Sequence, residues 1–169
     1  PKDVTKESLR GLHLAREEET ILMEEYSSLI MKNIPKGKVA VLVGGGSGHE
    51  PLFAGFVGEN LADGAVCGNV FAAPSPDRIL ATTRAVDRGK GVLYLYGNYA
   101  GDNMNFDIAS ELAEELDIPI KTVRVWDDVA SAPLDKITER MGIAGDVFVI
   151  KIAGAAAQEI SDLEEVYRL

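Results

Sequence analysis

Short apolar runs without a helical polar face recur along the chain, and they set the strongest limit on its fold. The first, residues 38–43, is bounded by Pro35 and Gly37 before it and by three glycines after it. Runs of this kind are typical of strands buried on both faces of a sheet. We predict strands at residues 38–43, 66–71, 91–96, 120–126 and 146–150.

Helical patterns separate the middle runs. Residues 75–77, Ser-Pro-Asp, predict a helix start, with a serine cap, a proline at the first position and an acid in the first turn. The buried face of this helix is predicted at Ile79, Leu80, Thr83 and Val86. A second helix is predicted over residues 103–116, before Pro119. Four apolar residues repeat along it at four-residue steps: Met104, Ile108, Leu112 and Leu116.

Both ends of the chain also show helical patterns, at residues 5–31 and 152–169. The first has apolar residues on one predicted face: Leu22, Tyr26, Leu29 and Ile30. Strands that alternate with helices form right-handed βαβ units. We therefore predict an α/β three-layer sandwich, with a mostly parallel sheet and helices on both faces. Residues 1–37 are predicted to be an N-terminal helical segment packing on the core, and residues 38–169 to be the α/β domain.

Charge and cysteine content exclude several classes of protein. The formal net charge of −10 disfavours a nucleic-acid partner or an anionic membrane surface, since either needs a basic face. No apolar stretch approaches the roughly 20 residues needed to span a bilayer, and the N-terminus does not resemble a signal peptide. The one cysteine, Cys67, lies in an apolar run and is predicted to be a core residue. We expect a reducing, cytoplasmic setting.

Two loops follow predicted strands at the edge where an open parallel sheet binds ligands. Residues 44–51 follow the first strand, and residues 97–102 follow the third. If the two strands are parallel, both loops lie on one rim. His49 and Asp102 would then face one pocket.

The first loop has four glycines in five residues, which allows a ligand to approach the backbone closely. Backbone N–H groups at a following helix start would hold an oxyanion or a hydroxyl. A phosphate-binding P-loop is excluded because His49 and Glu50 follow Gly48, and a dinucleotide fingerprint lacks its third glycine at position 49. A tight strand-to-helix turn without a ligand is the alternative.

His49 and Asp102 are the candidate proton-transfer residues. Imidazole exchanges a proton near neutral pH, and a carboxylate can accept one from a substrate hydroxyl. The alternatives are a polar loop histidine and an aspartate that caps the next helix. His13 is predicted to lie on the surface. Asp127 and Asp128 could bind a metal or a polar ligand, but we favour a capping role for them.

The loop of residues 44–51, Gly-Gly-Gly-Ser-Gly-His-Glu-Pro, resembles the signature loop of the dihydroxyacetone kinase family, in its substrate-binding K subunit or K domain. Further segments continue the resemblance in family order: residues 54–58, 68–72, 98–102, 104–106, 127–130 and 151–157. Together they cover the chain from about residue 38 to residue 169.

This resemblance implies a function. The family phosphorylates the terminal hydroxyl of short ketoses; its K part holds the ketose, and a separate L part brings nucleotide and magnesium. It implies that Asp102 is the catalytic base and that His49 assists it by hydrogen bonding. It also implies that backbone groups of the glycine loop contact the substrate. The expected substrate-binding residues are Gly45, Gly46, Ser47, Gly48, His49, Gly97 and Asp102. No metal site and no bound cofactor are expected in this chain, and ATP and magnesium are expected on the L component.

Two departures from the family pattern refine this expectation. Gly97 stands where some members of the family carry a lysine that contacts the substrate. This replacement, together with residues 52–53 and 95–96, favours the branch of the family that takes erythrulose-like ketoses. Family K proteins also continue into a second α/β region with a histidine that binds the ketose carbonyl covalently. No histidine follows His49. The chain therefore resembles the N-terminal half of a K subunit, either as a piece of a longer protein or as a separate chain joined by a partner.

Two alternatives stay open: a non-catalytic ketose sensor or co-regulator, and a structural remnant without a ligand. The presence of both His49 and Asp102 favours the kinase, since a sensor needs no base. The resemblance also implies a homodimer.

Overall fold

Six strands form one sheet in the computed structural model, which describes residues 3–169. They are β1 Thr20–Met23, β2 Ser28–Met31, β3 Ala40–Ser47, β4 Gly64–Val70, β5 Val92–Gly97 and β6 Ile120–Val125. Their order across the sheet is β1-β2-β4-β3-β5-β6. The last four strands of that order pair in parallel, and β1 and β2 add an antiparallel hairpin at one edge. The predicted strands at 38–43, 66–71, 91–96 and 120–126 are thus confirmed.

Helices cover both faces of this sheet. One face carries α1 Val4–Ala15, α4 Gly145–Glu159 and α5 Leu163–Tyr167, and the other carries α2 Pro76–Val86 and α3 Ala100–Glu114. Successive residues of β3 serve opposite faces: Val41 and Val43 pack in the first layer, Ala40 and Leu42 in the second. This double burial explains the continuous apolar run and confirms the predicted α/β sandwich.

The glycine run belongs to the strand, because β3 continues through Gly44 and Gly46 to Ser47. A Cβ atom at Gly46 would lie 2.7 Å from the backbone nitrogen of Ala72. Glycine is required there because the chain after β4 passes so close. The turn beyond leads into a 3-10 turn, Ala54–Phe56, and then into β4, so the loop is not followed directly by an α-helix. The predicted helix start at this loop, and with it the strand-to-helix turn, is wrong.

The helix predicted over residues 5–31 is wrong beyond Ala15. Residues 20–31 instead form the β1–β2 hairpin, in which Leu22 pairs with Leu29. Ser27 turns the chain with a φ of 51°. Leu29 and Ile30 are neighbours in sequence but pack on opposite sides of the sheet, which one helical face would not allow. The three- and four-residue spacing was therefore coincidental.

The strand predicted at residues 146–150 is also wrong, because these residues open α4. A short apolar run does not distinguish a strand from a buried helical turn by periodicity alone. The buried residues of α4 are spaced as on one helical face: Asp146, Ile150, Ala153 and Ala157. The helical prediction for 152–169 holds in two parts, α4 and α5, with a break between them.

Both predicted middle helices are confirmed. The predicted buried face is confirmed for α2 but not for α3. Ile79, Thr83 and Val86 of α2 are buried as predicted, and Leu80 is partly buried. On α3 the buried residues are Phe106, Ala109 and Ala113, whereas Met104 is 65% exposed and Ile108, Leu112 and Leu116 are exposed with it. Small alanines face the sheet because they let the helix approach it closely.

Cys67 is buried in the core, as predicted. Burial, together with the nearby charge of Glu50, raises the pKa of its thiol to about 12. A thiol that stays protonated at neutral pH is a poor nucleophile.

Candidate active site

A cavity of about 710 Å³ opens at the carboxyl ends of the central parallel strands. Gly45 and Gly46 of β3, Gly97 of β5, His49 and Asp102 all line it. They meet because β3 and β5 are parallel neighbours, so the segments that follow both strands lie on one rim. Five of the seven predicted site residues are thus brought together.

Ser47 and Gly48 do not line this cavity. Ser47 is buried, and its hydroxyl donates to the carbonyl of Gly68 on β4 at 2.8 Å. Gly48 has a φ of +99°, in the region that favours glycine, and its N–H donates to the carboxylate of Glu50 at 3.0 Å. Both residues shape the turn that carries His49, and their contact with a ligand stays a prediction.

The His49 ring is held in one orientation. Its Nδ1 lies 2.8 Å from the carbonyl oxygen of Gly46 and donates to it, so Nε2 of the neutral ring is left as an acceptor. The edge of the ring packs against Phe71, with 5.2 Å between ring centroids. His13 lies on α1, where its Nδ1 is 3.0 Å from the Thr20 hydroxyl.

Asp102 is the third residue of α3, and Tyr99 occupies the capping position. The alternative that Asp102 caps this helix is therefore wrong. Among the described residues, its buried Oδ1 has no hydrogen-bond partner. Burial raises the pKa of Asp102 from 3.8 to about 6, against the opposing effects of its own backbone N–H and of His49. A carboxyl group with this pKa is ionised at neutral pH and well matched to accept a proton there.

Asp146 was missed by the sequence analysis, which placed it in a strand. It is the second residue of α4, lines the same cavity and is only 3% exposed. Burial, and then the charges of Asp127 and Asp102, raise the pKa of Asp146 to about 7. The only feature of the sequence that could have pointed to Asp146 is its position as an acid directly before an apolar run.

The carboxyl groups of Asp127 and Asp128 accept hydrogen bonds from backbone N–H groups. The two carboxylate oxygens of Asp127 accept from the N–H groups of Ile143 and Gly145, each at 2.8 Å. Asp128 accepts from the N–H of Ala130 at 3.0 Å. The predicted capping role is confirmed, and Asp127 thereby fixes the turn from which α4 and Asp146 begin.

The segment after β6 forms one wall of the cavity and is tied to the end of β5. The Asn98 amide donates to the carbonyl of Arg140 at 2.7 Å, and the Tyr99 hydroxyl donates to the carbonyl of Gly142 at 2.8 Å. Gly142, Ile143 and Ala144 then line the cavity, with Gly142 packed against Gly97. These contacts place the start of α4 beside the start of α3.

Within residues 3–169, no group of three or more histidine, cysteine or acidic side chains is arranged to hold a metal ion. None of the helices in that range is both long enough and apolar enough to cross a bilayer.

The fold and this cavity define an α/β domain in which two buried carboxyl groups and a histidine line a cavity at the rim of the parallel strands. The chain belongs to the Dak1 domain family, which it matches over residues 10–169.

Two curated relatives illustrate the range of names in the family. The chain is 42% identical over 166 residues to the dihydroxyacetone-binding subunit DhaK of the PTS-dependent dihydroxyacetone kinase of Lactococcus lactis, with 98% of this chain and 50% of that protein covered. It is 40% identical over 171 residues to the L-erythrulose 1-kinase of Mycolicibacterium smegmatis, with 100% and 29% covered. The chain therefore spans half or less of the length of these relatives.

Solved structures share the fold closely. The native dihydroxyacetone kinase of C. freundii superposes with a TM-score of 0.91 at 36% identity, over 99% of this chain and 31% of that one. The dihydroxyacetone kinase operon co-activator DhaQ superposes with a TM-score of 0.88 at 31% identity, over 96% and 50%.

Proposed function

We propose that the chain is the ketose-binding part of a dihydroxyacetone- or erythrulose-type kinase. The observation that carries this proposal is the convergence of His49 and Asp102 on one cavity, with a buried oxygen of Asp102 left without a partner. A buried acceptor without a donor is costly, and a substrate hydroxyl would satisfy it. The names of the relatives supply the substrate class.

In this mechanism the reacting hydroxyl of the ketose donates its hydrogen bond to Asp102. As the hydroxyl oxygen attacks the phosphoryl group, its proton passes to the carboxylate. His49 assists through Nε2, since Nδ1 is held by the Gly46 carbonyl. Phosphoryl transfer depends mostly on positioning, so this part contributes orientation and proton removal. The backbone at Gly45 and Gly46 lines the cavity without side chains and gives the ketose close access.

The remaining parts of the kinase are proposed to lie elsewhere. ATP and magnesium belong to an L component, and a second K region supplies the histidine that binds the carbonyl. The name of the Lactococcus relative, a subunit defined by ketose binding in a PTS-dependent enzyme, supports this division. A homodimer and a cytoplasmic location complete the proposal, the latter supported by the single, buried cysteine.

A reconstitution assay tests the proposal. The chain is combined with an L component, ATP and magnesium, with and without a chain that supplies the second K region, and ADP release is followed with dihydroxyacetone or erythrulose. A parallel series replaces ATP by a phosphotransferase-system donor. We expect turnover only when the second region is present. Folded protein without turnover in any combination would contradict the kinase proposal.

Asp102→Asn is the matched variant, because it keeps the shape of the side chain and removes the base. We expect turnover to fall by at least about 100-fold, the lower range for a general base, while ketose binding persists. Unchanged turnover would remove Asp102 from the proton-transfer role. His49→Ala is expected to weaken both binding and rate.

A ketose sensor or co-regulator is the second candidate, and the close superposition with a co-activator favours it. The two candidates differ in what Asp102 does. A sensor would bind ketose without turnover in every combination, and Asp102→Asn would change binding alone.

A further inference from the structure

Asp146 is a buried acid that the mechanism above does not use. It sits in the first turn of α4, on the face of the sheet opposite α3, and it lines the same cavity as Asp102. Its Oδ1 is buried and has no hydrogen-bond partner among the described residues. Polar groups buried in this way normally have a partner, so the second unpartnered oxygen in one cavity calls for a ligand donor.

The side-chain donors nearest the cavity are already engaged. Of the described residues that line it, only His49, Tyr99, Asp102 and Asp146 have polar side chains. His49 Nδ1 donates to a backbone carbonyl, and so does the Tyr99 hydroxyl. The cavity therefore offers two carboxyl groups as acceptors and no free cation. Such a site suits a neutral ligand with at least two hydroxyl groups and disfavours an anionic one.

Gly97 determines which part of the cavity Asp146 faces. A Cβ atom at Gly97 would lie 3.2 Å from Oδ2 of Asp146 and 3.2 Å from the ring of Tyr99. Any larger side chain at position 97 would fill the space into which the carboxyl group points. With no side chain at position 97, the space beside Oδ2 of Asp146, between Gly97 and Tyr99, stays open to the cavity.

We propose that Asp146 binds the hydroxyl at the non-reacting end of the ketose and makes the site selective for ketoses that carry it. This inference rests on the proposed ketose-binding function and adds a specificity-determining residue to it. Asp102 takes the reacting hydroxyl, Asp146 takes the distant one, and the apolar walls contact the carbon chain. Hydrogen bonds to charged or strongly polar partners inside a cavity discriminate well against analogues that lack the hydroxyl, because the carboxyl group is then left unpaired.

The test compares two ligands on four proteins, the native chain and three variants. Dihydroxyacetone has a hydroxyl at both ends, and hydroxyacetone lacks one of them. Binding of each to the native chain, to Asp146→Ala and to Asp146→Asn is measured by NMR titration. Asp135→Asn, an exposed position outside the cavity, is the control. Thermal unfolding of each variant verifies the fold, and Asp146→Asn preserves the volume of the side chain where alanine does not.

At pH 8, where Asp146 is mostly ionised, we expect the native chain to prefer dihydroxyacetone by about 10-fold to 100-fold, the range for one hydrogen bond to a charged group. The preference should fall to near unity in Asp146→Ala, persist in part in Asp146→Asn and be unchanged in the control. An equal preference in native and Asp146→Ala proteins that both bind ketose would overturn the inference and leave the proposed function standing. Absence of ketose binding to the native chain, both alone and with the chain that supplies the second K region, would overturn both.

Discussion

At the scale of single residues, buried charges divide into those with partners and those without. Lys38 and Asp63 form a buried ion pair, with 2.5 Å between Nζ and Oδ2, and their side chains are 4% and 1% exposed. The same Oδ2 accepts the N–H of Val41 at 2.8 Å, so the carboxylate also anchors β3. Asp102 and Asp146, by contrast, each keep a buried oxygen unpartnered. The first pair supports the fold, and the second pair is the one that we propose to bind a ligand.

Replacing Asp63 tests the structural pair. Asp63→Ala should lower the free energy of unfolding by about 3–5 kcal/mol, because it leaves the Lys38 ammonium buried without its counter-charge. Urea denaturation measures the change. Glu139→Ala, which removes the partner of Lys136 in an exposed pair, is the control and should change stability little. Equal changes in the free energy of unfolding for the two substitutions would show that burial does not determine how much the Lys38–Asp63 pair contributes to stability.

Residue-level features of the site were only partly predictable from the sequence. His49 and Asp102 could be identified because each closely follows a recognisable strand, and parallel strands end at a common rim. Asp146 could not, because its apolar neighbours suggested a strand and nothing in its spacing links it to Asp102. The orientation of the Ser47 hydroxyl toward Gly68 likewise depends on the distant strand β4.

At the scale of elements, close packing decides which helical glycines can be replaced. A Cβ atom at Gly154 of α4 would lie 2.4 Å from the carbonyl oxygen of Leu61, whereas nothing lies within 4 Å of one at Gly11 of α1. Glycine at an open helical position lowers the stability of the fold. At a tight contact, by contrast, glycine is what allows the two backbones to approach each other. The contact with Leu61 therefore requires glycine at position 154.

Alanine substitutions at these two positions should therefore have opposite signs. Gly11→Ala should raise the free energy of unfolding by about 0.5–1 kcal/mol through helix propensity. Gly154→Ala should lower it by about 1–3 kcal/mol, because α4 must move away from the Leu61 backbone. Paired urea denaturation curves measure both. Stabilisation by both substitutions would mean that the Leu61 contact relaxes without cost.

The elements that were predicted wrongly share a physical cause. Residues 20–31 and 146–150 are short apolar stretches in which tertiary pairing decides the conformation. The hairpin forms because β2 pairs with β4, and α4 forms because Asp127 accepts the N–H groups at its start. The stripe on α3 was predicted correctly as helical, but the phase of its buried face depends on the small residues that meet the sheet.

At the scale of the whole molecule, the buried carboxyl groups of the candidate active site lower the free energy of unfolding at neutral pH. Asp102 and Asp146 have raised pKa values of about 6 and about 7, both from 3.8, with burial as the main cause. An unfolded carboxyl group releases its proton near 3.8, and the folded one keeps it to higher pH. Between these values the folded state binds more protons than the unfolded state, so stability falls as pH rises.

We therefore expect the free energy of unfolding to decrease from pH 4 to about pH 7 and then to level off as both groups become ionised. The double variant Asp102→Asn, Asp146→Asn should flatten this dependence, with Asp135→Asn as the control for surface charge. Urea denaturation at pH 5, 6, 7 and 8 measures it. Identical pH profiles for the native and double-variant proteins would contradict the raised pKa values.

The order of strands also bears on how fast the chain finds its fold. Only β1 and β2 are joined by a short turn; every other pairing in the sheet, from β2–β4 to β5–β6, joins strands separated by a long connection. Each of those pairings must close a long segment before any contact compensates for the lost chain entropy. The cavity needs β3, β5 and the starts of two helices at once, so we expect it to form late in folding. A newly synthesised chain would then present this cavity only when the sheet is nearly complete.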